Sequence, residues 1–463
     1  MKTKLSFYGG AGTVTGSKYL LDTGRTRLLI DAGLFQGLKK LRLLNWRQPP
    51  FDIDNIDALL LTHAHIDHGG YLPRLVRLGF SSPVYATPAS IDLAELLLMD
   101  AAKIQEEDAK YANKKGYSKH RPALPLYTAE DSEAACKLMR PAKFGDWTEI
   151  GPDTRVRFLN MGHILGSAMI EVHVDNGADP LRIVFSGDVG RYDVPLHSNP
   201  DPIPDCEYLV VESTYGDRNH KHHSVEDQIC DALKPCLERG GTALIPAFAV
   251  GRTQLVTLTL RQLINDGKLP DVPIHIDSPM AVDATRIYSE HRGDHTLDSM
   301  LSEDGRSRLF PNNVHFSKSV DQSKALNKMP GPRIVISASG MLTAGRVLHH
   351  LKRLLPDPKN LVMLVGYQAA GTRGRRMIEG GETVKVHGEH IPVRAEFMQL
   401  GGLSAHADRD ELLRWIQSGT RTPDTVFVTH GEEDSQHAFA QLLQEKLQCQ
   451  THTPELDQSY TLD

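Results

Sequence analysis

Cysteine is scarce in this 463-residue chain. There are five, Cys136, Cys206, Cys230, Cys236 and Cys449, and no Cys-x-x-Cys pair. An odd number without paired spacing excludes a disulfide framework and a thiolate zinc site, and leaves reduced packing residues. Long apolar runs are absent too. No stretch approaches the roughly 18 residues that span a bilayer, and residues 1–16 lack the apolar core of a secretion signal, so a soluble, cytoplasmic protein is expected. Nor is there an excess of positive charge: Lys+Arg 52 against Asp+Glu 58 gives a net charge of -6. The whole-chain field therefore does not favour a polyanion, and any groove for one must be local. Basic residues do gather at Arg373, Arg375 and Arg376 and at Arg346, Lys352 and Arg353, where a solvated face is the competing reading.

Histidine, by contrast, is plentiful, at 22. Most need no special role: His220, His222 and His223 sit in a polar run, and His349 and His350 in an amphipathic helical pattern, so all five are read as solvated. The segment from Thr62 to Gly70 differs. It places His63, His65, Asp67 and His68 directly after the apolar run Leu59-Leu60-Leu61, which reads as a buried strand, and leaves through Gly69-Gly70. Two histidines two residues apart at a strand end point the same way, while Asp67 and His68 begin a new turn and face a second position. Imidazole with carboxylate suits Zn²⁺ or a similar first-row ion, whereas Mg²⁺ or Ca²⁺ would call mostly for oxygen.

A chain of this length exceeds one hydrophobic core, so two domains are expected. The early grammar is short alternating strands bounded by glycine, then the strand Ile56 to Thr62, a helix, a strand at Val84–Ala86 and a helix from Ile91 to about Lys114. Strands return at 156–159, 168–174, 182–186 and 208–212. After Glu212 strand and helix alternate, which signals a parallel sheet covered by helices. Residues 213–375 are therefore read as an inserted α/β domain, with 1–212 and 376–463 forming the first. Strands near 394–400 and 425–429 and helices near 409–417 and 436–447 would complete that first domain.

Three further strand ends supply ligand types beside glycine: His163, Asp188 and His430. With the first four they make seven, enough for two ions that keep positions open for water. Taken together, these motifs resemble the metallo-β-lactamase fold, an αββα sandwich. Glu212 in Val-Glu-Ser-Thr-Tyr-Gly, His406 in Leu-Ser-Ala-His-Ala-Asp and His430 in Thr-His-Gly-Glu are similar to the extra motifs of its β-CASP nuclease branch. The segment 104–108 and the run 366–374 resemble it too. The likeness covers essentially the whole chain, nearest to RNA-processing nucleases related to the pre-mRNA 3′-end endonuclease.

The resemblance implies two Zn²⁺ per chain: one held by His63, His65 and His163, a second by Asp67, His68 and His430, with Asp188 bridging and Asp31 orienting a ligand imidazole. It implies hydrolysis of RNA phosphodiesters, with Asp67 at the second ion and with His406, paired to Glu212, as general acid. Further phosphates would be held by Ser337, Ser339 and Gly340 and by Arg252, both at strand-to-helix junctions where free N–H groups favour an anion, and by Arg373 and Arg375. DNA is the rival substrate, disfavoured because related DNA nucleases typically lack the histidine found at 430. A small-molecule hydrolase would not need so large an insert, and an inactive RNA-binding subunit would not keep every ligand. Dimerisation is common in such relatives, though no residue here decides it. No separate RNA-binding module is expected before the first strand near Leu5.

Overall fold

The computed structural model describes residues 2–463 except 117, 119, 178, 221–224, 292, 294–312, 367 and 401–402. His222, His223 and Tyr367 lie outside the described residues. The chain forms two compact units, residues 1–219 with 406–463 and residues 220–405.

The first unit holds two seven-stranded sheets. One runs Ser459–Leu462, Thr3–Phe7, Tyr19–Asp22, Arg27–Ile30, Ala58–Leu60, Val84–Ala86, Met139–Pro141; its pairing changes from antiparallel to parallel after Arg27–Ile30. That change requires crossovers: residues 31–57 make the first, and the helices Leu72–Arg77, Pro88–Lys115 and Ala129–Lys137 supply the next two. The other sheet runs Gln450–His452, Thr425–Thr429, Tyr208–Glu212, Leu181–Phe185, Ala168–Val174, Thr154–Asn160, Trp147–Ile150. Side-chain alternation sorts its residues onto two faces. Ile170, Val172, Ile183, Phe185, Val210 and Phe427 meet Leu5, Phe7, Leu21, Leu28 and Ile30 of the first sheet. Met169, Val184, Leu209, Val211 and Val428 instead pack against Trp415 and Phe439 of the helices Arg409–Ile416 and Glu433–Leu447. This is the expected αββα sandwich.

The second unit is built on a wholly parallel sheet, ordered Val314–Phe316, Ile274–Ile276, Arg333–Ser337, Thr242–Pro246, Leu361–Leu364, Glu396–Gln399. Both faces are covered: Ala243, Ile245, Ile334 and Ile336 lie in one core and Leu244, Val335, Val362 and Leu364 in the other. Sheets of this kind read as continuous apolar runs, which is why the alternation of strand and helix is plain in the sequence.

The return to the first unit comes at residue 406, beyond the expected 376. The strand Glu396–Gln399, expected to complete the first domain, pairs in register with Leu361–Leu364 and so belongs to the insert. The helix expected to begin directly after the turn at Ser339 and Gly340 begins only at Val347. His220 and His350, read as solvated, are both buried. No helix among the described residues is long and apolar enough to cross a membrane.

Candidate metal centre

The centre lies in the first unit, where strand ends of the two sheets meet. Leaving the strand Ala58–Leu60, the carbonyl of Thr62 accepts the N–H of Ala168 from the opposite sheet. The chain then turns into the short helix Ile66–Gly69, which carries Asp67 and His68. Close packing fixes that turn: a Cβ on Gly33 would lie 1.7 Å from the Asp67 carbonyl oxygen. Asp188 follows the strand Leu181–Phe185, Glu212 ends Tyr208–Glu212, and His430 follows Thr425–Thr429.

Four donor atoms converge first. His63 Nε2 and His163 Nε2 lie 3.1 and 3.2 Å from His65 Nδ1, and each is 3.4 Å from Asp188 Oδ2. A tetrahedral zinc with bonds of about 2.0–2.1 Å sets its ligand atoms about 3.3 Å apart, so the four match the edges of such a shell. A second set adjoins them: His68 Nε2 is 3.2 Å from His430 Nε2 and 3.1 Å from Asp188 Oδ1, with Asp67 Oδ2 3.8 Å from His430 Nε2. The two oxygens of Asp188 thus face different donor sets. Its Oδ1 is buried and makes no hydrogen bond, as is true of His163 Nδ1. A buried polar atom left in this state incurs a desolvation cost that a cation would relieve.

Proton distribution supports the same use. Burial lowers His63 to about 3 and His65 to about 4, and holds His163 well below its ordinary value, so these imidazoles keep free lone pairs. For Asp188 burial favours the neutral acid, but the surrounding His430, His68, His406 and His63 outweigh it and keep the carboxyl ionised. Asp67 is held ionised against burial chiefly by His430. His68 is raised despite burial by Asp188 and Asp31. Its Nδ1 lies 2.7 Å from Asp31 Oδ2, so the proton there stays and Nε2 is the atom turned to the cluster. Asp31 is itself held by the N–H and hydroxyl of Thr62. Hydroxyls orient two more rings, Thr62 at His63 Nδ1 and Thr214 at His430 Nδ1; neither threonine stands out in the sequence, because a lone Thr carries no signal.

His406 stands apart. Its Nδ1 is 3.1 Å from both oxygens of Glu212, which also accepts the N–H groups of Val189 and Thr214. Burial works against its charge, yet Glu212 and Asp188 raise it to about 9. With Nδ1 engaged, Nε2 is the position from which a proton can be given.

The expected phosphate residues lie in the second unit and are not alike. Ser337 is buried, its hydroxyl donating to the Asp277 carbonyl. Ser339 Oγ accepts the N–H of Thr343, and Gly340 packs against the Phe248 ring. Because the helix starts at Val347, this turn is not at a helix N-terminus, contrary to expectation. Arg252 is buried. Arg373 donates to the carbonyls of Lys385, Leu342 and Thr343, and Arg375 pairs with Glu379 at 2.8 Å. These contacts brace the unit rather than leave two open cationic groups.

Comparison with known proteins agrees with this geometry. Residues 11–208 match the metallo-beta-lactamase superfamily, 253–377 the Beta-Casp domain, and 390–454 the Zn-dependent metallo-hydrolase RNA specificity domain. Ribonuclease TTHA0252 of Thermus thermophilus is 37% identical over 444 residues, 94% of this chain and 95% of that protein. The transcription termination factors FttA of Methanosarcina mazei and Methanocaldococcus jannaschii are 33% and 31% identical, each covering 97% of this chain and 70% of its own length. A crystal structure of a protein of unknown function from Enterococcus faecalis covers 100% of both chains with a TM-score of 0.53 at 14% identity, a likeness of fold alone. The chain belongs to the β-CASP family of metal-dependent hydrolases with the metallo-β-lactamase fold.

Proposed function

We propose that this protein is a ribonuclease that hydrolyses RNA phosphodiester bonds with two zinc ions. The observation that carries the reading is Asp188, a buried carboxylate whose two oxygens face two different sets of imidazole and carboxylate donors. His63, His65 and His163 would hold one ion, Asp67, His68 and His430 the other, and Asp188 both. The pair, when bound, supplies Lewis acidity and an acidified water for in-line attack at phosphorus.

The chain's own residues do the rest. Asp31, Thr62 and Thr214 fix ring orientation, and Glu212 holds His406 protonated at Nδ1 so that Nε2 delivers a proton to the departing sugar oxygen. RNA rather than DNA is favoured by the match to the RNA specificity domain and by a relative named as a ribonuclease. Ser339, half-buried on its turn, is the better candidate in the second unit for a further phosphate, since Ser337, Gly340 and Arg252 are buried and Arg373 and Arg375 are engaged.

The test combines metal analysis with cleavage of end-labelled single-stranded RNA and DNA of defined 5′ ends. Two zinc equivalents and preferential RNA cleavage are expected, and the product ladder separates internal cuts from stepwise 5′ to 3′ removal. One equivalent with full activity, or DNA cut as fast as RNA, overturns the reading.

A further inference from the structure

Residues 32–51 of the first unit contain no carboxylate and four cations, Lys39, Lys40, Arg42 and Arg47. In a chain of net charge -6 this is a local reversal of sign. All four cations are exposed, and among the described residues none pairs with a carboxylate. Beside them stand two of the most exposed large apolar side chains, Leu43 at 55% and Trp46 at 50%.

Local structure explains why these side chains project. Residues Lys39–Arg42 form one helical turn that tightens into the 3₁₀ turn Leu43–Trp46. At three residues per turn, positions i and i+3 eclipse, so Leu43 and Trp46 share one face. Between them Asn45 is buried, bonded to both the N–H and the carbonyl of Phe35 at 2.9 and 2.8 Å. Lys18 Nζ in turn sits over the rings of Phe35 and Tyr71 and donates to the carbonyls of Gly16 and Gly33. The turn is therefore a held platform with its apolar face outward.

Its location is equally defined. Ala32 N–H donates to the His68 carbonyl, Leu34 to Ile66, Tyr71 to Ala32, and the Tyr71 hydroxyl to Arg47. Residues 32–47 are thus laced along the segment that carries Asp67 and His68. The turn that carries Trp46 is tied at both ends to the segment 66–71.

We infer that the turn Lys39–Arg47 is a second RNA-contact surface, in which Trp46 with Leu43 stacks an unpaired base and Lys39, Lys40, Arg42 and Arg47 take adjoining phosphates. The inference rests on the ribonuclease reading and adds a substrate subsite to it. An aromatic platform flanked by cations recognises single strands whatever their sequence, and four unpaired cations beside the ring suit phosphates better than the mixed charge of a protein partner.

The test uses the zinc-loaded full chain and a phosphorothioate-substituted single-stranded RNA, which slows turnover. Binding is followed by anisotropy and by quenching of tryptophan emission. Trp46→Ala should weaken binding about five- to a hundred-fold, the range for one stacked base, and remove the quenching; Trp46→Phe, which keeps a ring, should recover most of the affinity. Lys39→Ala with Arg42→Ala should flatten the slope of log affinity against log salt by about 0.7 for each phosphate no longer held. Wild-type affinity and salt slope in these variants overturn the inference, as does a Phe variant no better than Ala. A Trp46→Ala effect on sedimentation without one on RNA affinity also overturns it, assigning the face to a protein partner. Failure of the unaltered protein to cleave RNA at all would instead sink the ribonuclease reading, so the two are separable.

Discussion

Two buried aspartates, one in each unit, both face histidine and end in opposite states. Asp277, at the end of the strand Ile274–Ile276, has every acceptor matched: Oδ1 receives Arg346 Nη1 at 2.7 Å, and Oδ2 receives His350 Nε2 at 2.7 Å and Ser323 Oγ at 2.6 Å. Asp188 has more histidines around it but no hydrogen bond at Oδ1. The first is a closed network that locks strand, turn and helix together. The second is an electrostatic demand left open, beside which His63, His65 and His163 are held neutral by burial and keep lone pairs where a structural network would place donors. A count of histidines would not separate the two; whether each carboxylate oxygen finds a hydrogen-bond donor does.

The comparison breaks most decisively at Asp188. Asp188→Ala should lose both metal equivalents together and reduce cleavage to background, because one carboxylate serves both donor sets. Retention of one ion with substantial activity would mean that the two sets are independent. His406→Ala, which touches the open cluster without belonging to either donor set, should keep both ions and RNA affinity yet slow single-turnover cleavage by about 10² to 10⁴. A substrate with sulfur in place of the bridging 3′ oxygen needs no proton to leave. It should rescue His406→Ala far more than Asp67→Ala; equal rescue of both would remove His406 as the acid.

Asp277→Ala should do the reverse, keeping metal but destabilising the second unit by about 3–5 kcal/mol, since Arg346 and His350 are left without that acceptor. His350, Ser323 and Arg346 hold the Asp277 carboxyl below its ordinary value against burial. A depressed carboxylate adds stability that is present above the unfolded value of 3.8 and disappears as pH falls through the lower folded value. Acid unfolding of the second unit should therefore move to higher pH in the variant. An unchanged acid midpoint would show that the network contributes no net stability.

Legibility in the sequence follows the same division. The open cluster is visible there because residues of ligand type crowd into 63–68 and recur at strand ends beside glycine, and the structure brings all seven together. The closed network is not, because Asp277 is a lone acid after a three-residue strand and its partners lie at 323, 346 and 350. Helical periodicity assigns His350 a face but cannot show that the face meets a carboxylate, so a solvated reading prevails until the fold is in view. The boundary at 406 is equally hidden, because a short strand such as Glu396–Gln399 carries no mark of which sheet it will join. Trp46 escapes for a different reason: exposure is a property of the folded turn, and the sequence alone offers an apolar residue among others.

The smallest expected effect tests the link between charge and proton at the rim of the open cluster. Glu212→Gln keeps one of the two oxygens, enough for the shorter bond from the Val189 N–H, while the Thr214 N–H, 3.2 Å from the other oxygen, loses its acceptor. It removes the charge that raises His406, and the proposed acid role needs the protonated ring. Protonation is complete below the pKa and lost above it, so the alkaline limb of kcat/KM marks that loss. In the unsubstituted protein the limb should lie between the ordinary 6.5 and about 9, because the proposed metal ions would oppose the two carboxylates. In Glu212→Gln it should move to lower pH, with about a tenfold lower rate above the limb for each unit of displacement. Metal content should not change. A limb that stays in place while activity falls would show that Glu212 orients His406 without charging it, and would separate the geometric from the electrostatic part of this pair.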